Sequence, residues 1–386
     1  MEPPKSRKRK CSTANWSDLP QDLVVHIAKQ FLSVYDFKAF GGVCKTWSCA
    51  ATEETFTGGL THQVPLLMLR GSSEDGITST ANRECYNLVK GKLCRIGTNI
   101  QLRPLKWWPL LGCWCLSSLG WLLAQSITDP RVTYLLHPFK HREIVLPTFS
   151  EYPNRLNKFV LSSSPLTSDF VVMVLLRCPR YLAFCRPKID NAWTIVSLEY
   201  PYGLAGNGFS DIAYYKGQFY FVDYSIGAIL VCDIDDTKKP KIRDDVVPCM
   251  PHNPKLFRLR NNYVTRIYLV ESAGDLLVVF RLNSKFDVRK TTGIRVFKVP
   301  FSTGNWYDSE VKNLGNRALF LGENNSSFSI EALAYGSGCM ANCIYFQTDE
   351  EETKLGIYSM KFEEFKPFLP KFPKLKKPYA WIQPSF

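Results

Sequence analysis

IYLVESAGDLLVVFRL, residues 267–282, holds two strand-like apolar runs, IYLV and LLVVF, parted by Ala-Gly-Asp. Branched and aromatic side chains suit the pleated surface of a sheet, and glycine beside aspartate suits a reversal of the chain. A third run, IRVFKV, follows at 294–299. The same grouping recurs along the chain. Leading runs start with LLML at 66, WLLA at 121, VVMV at 171, FYFV at 219, IYLV at 267 and ALFL at 318, so successive starts differ by 55, 50, 48, 48 and 51 residues. Second runs follow at LCRI (93–96), YLLH (134–137), YLAFC (181–185), ILVCD (229–233), LLVVF (276–280) and CIYF (343–346), and further third runs at EIVLP (143–147), WTIVSL (193–198) and GIYSM (356–360). A period near fifty with three or four short strands per repeat is the pattern of propeller blades. Each blade leaves a face that only a neighbour can cover, and closing the ring removes the exposed ends of the stack. Six periods give about six blades, and a seventh is compatible because the first period is weak. The competing reading, a generic β-sandwich assembly, has no reason for so regular a spacing.

The composition supports a large core. Hydrophobic residues make up 45% of the 386 and aromatics 13%, well above what disordered chains carry. Lys and Arg outnumber Asp and Glu by 48 to 35, a net charge of +13. Much of that excess is local: Lys5, Arg7, Lys8, Arg9 and Lys10 crowd one end, and Lys371, Lys374, Lys376 and Lys377 the other. The 13 Cys are odd in number and irregular in spacing, which is not a disulfide framework, and the N-terminus MEPPKSRKRK has no apolar stretch of the kind a secretory signal needs. Reduced thiols in the cytosol or nucleus are expected. No membrane span is expected either. The most apolar stretch, WWPLLGCWCLSSLGWLLA, is broken by Pro109, Gly and Ser, and reads as two buried strands around a turn.

A different pattern stands near the start: LPQDLVVHIAKQFLSVYDFKAFGGVCKTW, residues 19–47. Pro20 suits the first turn of a helix and Asp22 its positive end. Leu23, Ile27 and Phe31 recur at spacing four, on one face. Asp36 is expected to cap a next helix carrying Phe37, Phe40, Val43, Cys44 and Trp47, and Gly41-Gly42 is expected inside a third helix, where glycine is unfavourable. Periodicity alone gives a small helical hairpin docked on the main domain. The residues themselves say more. Leu19-Pro20, Leu23, Ile27, Leu32, Asp36, Val43-Cys44-Lys45 and Trp47 resemble the F-box over roughly Trp16 to Ala51. That resemblance implies a module that docks on a Skp-type adaptor and joins a cullin-based ubiquitin ligase. Carried over from the family, Leu19, Pro20, Leu23, Ile27, Val43 and Cys44 would meet the adaptor or shape the surface that does. Phe31, Leu32, Phe40 and Trp47 would form the module's core.

The strand-rich part resembles a known family as well. NLGNRALFLGENNSSFSI (313–330), IYLVESAGDLLVVFRL, DIAYYKGQFYFVD (211–223) and the ending YAWIQPSF are similar to segments of the kelch-like, F-box-associated propeller domain of plant F-box proteins. The expected fold is an α+β multidomain chain: a small helical F-box followed by an all-β propeller. The expected divisions are a basic disordered tail at 1–14, the F-box at 15–52, a linker at 53–62, the propeller at 63–365, and a segment at 366–386 that is either a tail or the closure of the ring.

Catalytic and metal-binding patterns are missing. His137 and His141 are expected on a blade turn, and Pro138 between them prevents a shared helical face. Cys113 and Cys115 are not a CxxC pair, and chelation there is not expected. Cys339 and Cys343 flank a turn. GLAGNG (203–208) does not open an apolar helix and reads as a loop. Asp235-Asp236 and Asp244-Asp245 read as solvated connections. No nucleophile, general base or cofactor is nominated, so a non-catalytic receptor is expected, bringing a target protein near transfer chemistry that belongs to other subunits. KSRKRK reads either as a solvated tail or as a nuclear import signal formed by Lys5, Arg7, Lys8, Arg9 and Lys10. The expected location is nucleus, cytoplasm or both. Two rivals stand beside this reading. One is a nuclear protein that holds nucleic acid through its basic excess, with a vestigial F-box. The other is a propeller hydrolase with His or carboxylates converging in the channel.

Overall fold

The structure, a computed structural model, describes residues 16–69, 82–97, 115–125, 131–140, 142–149, 156–166, 169–176, 182–196, 209–223, 228–234, 241–248, 262–287, 289–301, 306, 308–323, 325–332, 338–347, 355–368 and 378–385. The chain divides into two compact units, one ending at Gly59 and one running from Leu60 to Ser385. No described helix is long and apolar enough to cross a membrane.

The first unit holds α1 (Gln21–Ala28), α2 (Val34–Gly41) and α3 (Lys45–Ala50) after a single 3-10 turn at Trp16–Asp18. Pro20 stands just before α1, and its carbonyl accepts the amides of Leu23 and Val24. Ser33, not Asp36, caps α2: its hydroxyl accepts the Asp36 amide at 3.4 Å, leaving Asp36 to favour the positive helix end. The glycines are also differently placed. Gly41 ends α2 and Gly42 follows it, so neither sits inside α3. A Cβ on Gly41 would stand 2.9 Å from the Ala51 Cβ, so glycine lets the end of α3 approach α2. Residues 53–59, expected as linker, fold back on the helices. Phe56 packs tilted on Phe37 with ring centres 5.0 Å apart, and Thr57 Oγ1 donates to the Lys29 carbonyl at 2.8 Å.

The second unit is a six-bladed propeller. Blade 1 contains β1 (Leu66–Leu69), β2 (Asn82–Asn87) and β3 (Lys92–Gly97); blade 2, β4 (Cys115–Ser118), β5 (Trp121–Gln125), β6 (Thr133–His137) and β7 (Arg142–Val145). Blade 3 contains β8 (Leu156–Leu161), β9 (Val172–Leu176), β10 (Leu182–Cys185) and β11 (Thr194–Val196); blade 4, β12 (Phe209–Tyr215), β13 (Gln218–Asp223), β14 (Ala228–Asp233) and β15 (Lys241–Pro248). Blade 5 contains β16 (Asn262–Ser272), β17 (Asp275–Ser284) and β18 (Thr291–Lys298); blade 6, β19 (Arg317–Phe320), β20 (Phe328–Glu331), β21 (Cys343–Gln347), β22 (Leu355–Ser359) and β23 (Glu364–Pro367). The last strand, β24 (Pro378–Ile382), returns to pair with β1 and becomes the innermost strand of blade 1, so the chain's end completes its first sheet. This closure joins YAWI of the ending to LLML, with Leu66 opposite Ile382, 316 positions further along the chain.

Apolar clusters fill the spaces between successive blades from blade 2 through blade 6 and on to blade 1. Because both faces of a blade are covered, its middle strands are apolar without alternation, as in the fully buried β9. Among the described residues, three hairpins leave the innermost strand through two residues that both have positive φ: Leu119-Gly120, Lys216-Gly217 and Ala273-Gly274. That backbone matches the strand twist and places glycine where its missing Cβ matters.

Blade 6 departs from chain order, reading β20-β19-β21-β22-β23, with β19 and β21 parallel. The Asp244-Asp245 pair, expected in a turn, lies in β15. His137 is likewise a buried strand-end residue of β6 rather than a turn residue.

Candidate functional site

The helical unit has a small core. Val24, Ala28, Val34, Phe37, Phe40 and Ala50 are buried, and Leu19, Ile27, Phe31 and Trp47 pack partly buried at its edge. Helix α1 therefore buries Val24 and Ala28, four apart, with Ile27 alongside. Of the expected face of Leu23, Ile27 and Phe31, the last two pack on this core, while Leu23 is 47% exposed. Of the expected core residues, Phe40 is buried and meets Phe31 at 5.3 Å and Trp47 at 4.7 Å, while Leu32 is half-buried. Phe37, fully buried, is the largest of the core members that the expected set lacked, beside Val24, Ala28, Val34 and Ala50. Its sequence signal was present: Phe37 and Phe40 stand three apart, as two residues on one helix face do.

The expected adaptor positions fall into two groups. Leu19, Ile27 and Cys44 are half-buried, whereas Pro20, Leu23 and Val43 are exposed, Val43 to 56%. Trp16, which sequence reasoning did not select, is 65% exposed, and its carbonyl accepts the Trp47 indole N–H at 3.3 Å. Trp47 thus bridges core and surface: its ring packs on Phe40 while its polar edge fixes the segment leading into α1. A unit this small, with so few buried apolar side chains, leaves Trp16, Leu23 and Val43 as apolar surface that water solvates poorly.

The propeller interior holds a polar centre instead. Lys158 on β8 and Asp211 on β12 each follow a one-residue register shift in an innermost strand, a device that re-aims a side chain. They form an ion pair and are 1% and 0% exposed. Asp211 also accepts the amides of Ile212 at 2.6 Å and Leu269 at 3.0 Å, and Lys158 donates to the Gly322 carbonyl at 3.1 Å. Burial pushes the Lys158 amine down and the Asp211 carboxyl up, each opposed by attraction to the other. These bonds tie blade 3 to blade 4, to Leu269 of blade 5 and to Gly322 beyond β19, so the pair acts as a brace.

His137 also bonds inward. Its Nδ1 accepts the amides of Phe139 at 3.3 Å and Lys140 at 3.1 Å, which leaves the proton on Nε2. Nε2 then donates to Ser385 Oγ at 2.9 Å. A base that activates a serine needs the opposite tautomer, so this contact fastens the chain's end to blade 2. Burial raises the Cys185 thiol and pushes Cys232 up to about 12, which makes both poor nucleophiles at neutral pH. Among the described residues, no group of three or more His, Cys, Asp or Glu is placed to hold a metal ion. Cys113, His141, GLAGNG, Asp235-Asp236 and the cations Lys5, Arg7, Lys8, Arg9 and Lys10 lie outside the described residues.

Comparison with known proteins agrees with this geometry. Residues 86–359 match the family described as the KIB1-4 beta-propeller. The F-box protein At2g26160 of Arabidopsis thaliana is 26% identical over 86% of this chain and 95% of its own length. The F-box protein At4g35733 of the same plant is 27% identical over 88% of this chain and 90% of its own. Both relatives are named F-box proteins.

Proposed function

Because the chain belongs to the KIB1-4 beta-propeller family, we propose that it is the substrate-recognition subunit of a Skp-cullin-F-box ubiquitin ligase. Its helical unit binds a Skp-type adaptor and, through it, a cullin, while its propeller binds a target protein. The observation that carries the reading is the combination of a small helical core with exposed Trp16, Leu23 and Val43. Apolar side chains on a small module are covered when a partner helix surface is laid against them. The names of the relatives in Arabidopsis thaliana support the assignment of this unit. The chain holds the target near transfer chemistry carried out by other subunits and works in the nucleus, the cytoplasm or both.

The test is a pull-down of the full chain with a purified Skp-type adaptor. Leu19→Ala with Pro20→Ala abolishes binding while the propeller's thermal transition is unchanged. Because Leu19 also flanks the core, Leu23→Asp serves as the surface variant, expected to weaken binding at least tenfold with the helical signal intact. Wild-type affinity in both variants overturns the assigned surface. Failure of the unmodified chain to bind overturns the ligase reading itself.

A further inference from the structure

The connection from β19 to β20 does not turn tightly at the rim of blade 6. Its described residues reach blades on the far side of the ring. Ser326 donates its amide to the Ser117 carbonyl of blade 2 at 3.0 Å, and its hydroxyl to the Phe159 carbonyl of blade 3 at 3.0 Å. The Gly322 carbonyl accepts from Lys158 of blade 3, which is paired with Asp211 of blade 4. Glu323 accepts from Arg281 of blade 5 at 3.3 Å. Leu321 donates to the Tyr345 carbonyl of its own blade at 2.8 Å. In a ring of six, blade 3 stands opposite blade 6, so these bonds cross the centre. Asn325 is fully buried there. Gly322 permits the fold of the segment, because a Cβ on it would meet the Asn325 carbonyl oxygen at 2.5 Å.

We propose that this connection is an internal strut that braces blade 6 against blades 2 and 3 across the ring and makes the propeller unfold as one unit. A stack whose modules touch only their neighbours opens locally and in steps. Bonds across the centre change that, because loosening blade 6 withdraws hydrogen bonds from blades two and three positions away. The inverted order of blade 6 follows from the same arrangement. The chain enters its second strand first, crosses the centre, and returns as the innermost strand.

Hydrogen exchange by mass spectrometry on the full chain tests the strut. Ser326→Ala removes only the hydroxyl bond to Phe159, and Gly322→Val forces the segment out of its fold. Both are expected to speed amide exchange in 115–118 and 156–161 at least tenfold, as well as in 317–331. Ser272→Ala, which removes the neighbour-to-neighbour hydroxyl contact with Ser329 at 2.9 Å, is the matched control and is expected to affect only blades 5 and 6. If Gly322→Val yields no folded protein, Ser326→Ala alone decides. Faster exchange confined to 317–331 in the Ser326→Ala chain overturns the proposal.

Discussion

Lys158→Met removes one charge from a place that water does not reach. Asp211, 0% exposed, then keeps two backbone donors but loses its cation. An unpaired buried carboxylate either stays charged, at a cost of about 3–5 kcal/mol, or takes up a proton. Protonation sets the upper bound. For a carboxyl with an unfolded pKa of about 3.9 and about 1.36 kcal/mol per pH unit, holding the proton in the folded state costs about 4 kcal/mol at pH 7 and about 1.5 kcal/mol at pH 5. The sign follows from linkage. In the variant the folded pKa of Asp211 lies above its unfolded value, so the folded state gains on acidification and loses as pH rises. The Gly322 carbonyl also loses its partner, worth about 1 kcal/mol at either pH. The expected loss is therefore about 5 kcal/mol at pH 7 and about 2.5 kcal/mol at pH 5. Urea titration followed through the fluorescence of the buried Trp121, Trp306 and Trp381 measures both. Adding Asp211→Asn, which keeps an acceptor for one of the two backbone amides, should abolish the pH-dependent part. A loss below about 1 kcal/mol at pH 7, or an equal loss at both pH values, would refute the assignment of a charged, water-free brace.

Three other outcomes are expected. Phe37→Ala should destabilise the helical unit by about 3–5 kcal/mol, read as faster amide exchange across 21–50 with the propeller transition unmoved, because Phe37 packs on Phe40 and Phe56. Trp381→Ala should cost the propeller about 3–5 kcal/mol and broaden its melting, since this side chain is fully buried against Phe320 at 5.0 Å in the strand that closes the ring; an unchanged melt would argue against closure through β24. Burial raises the Cys94 thiol, with Lys90 opposing, so alkylation of Cys94 by iodoacetamide should be slow at pH 8 and accelerate as pH rises; a rate at Cys94 that does not rise with pH would argue against its burial.

The sequence by itself determined the element types and the two-part organisation. Apolar runs such as those now seen as β9, β13 and β17 are buried on both faces, so their composition alone marks them as strands, and Leu19-Pro20 through Trp47 marks the helical unit. The regular spacing near fifty hid a shift that only tertiary structure exposes. The leading runs of blades 1 to 4 and of blade 6 are second strands, whereas IYLV lies in β16, the innermost strand of blade 5. Second strands actually start at 66, 121, 172, 218, 275 and 317, so the true intervals are 55, 51, 46, 57 and 42 residues. Composition cannot tell a first strand from a second, because both are covered by neighbouring blades. The face of α1 was misplaced for a related reason: QDLVVHIA has apolar residues at consecutive positions, and packing against α2 and α3 selected Val24 and Ala28 over Leu23. Lys158, Asp211 and Ser326 carried no local signal. Their partners lie 53 residues away for the Lys158–Asp211 pair and 167 for Ser326 with Phe159. An isolated Lys or Asp in a strand reads as solvent-facing until ring closure removes the water around it, and only the closed tertiary structure makes that environment.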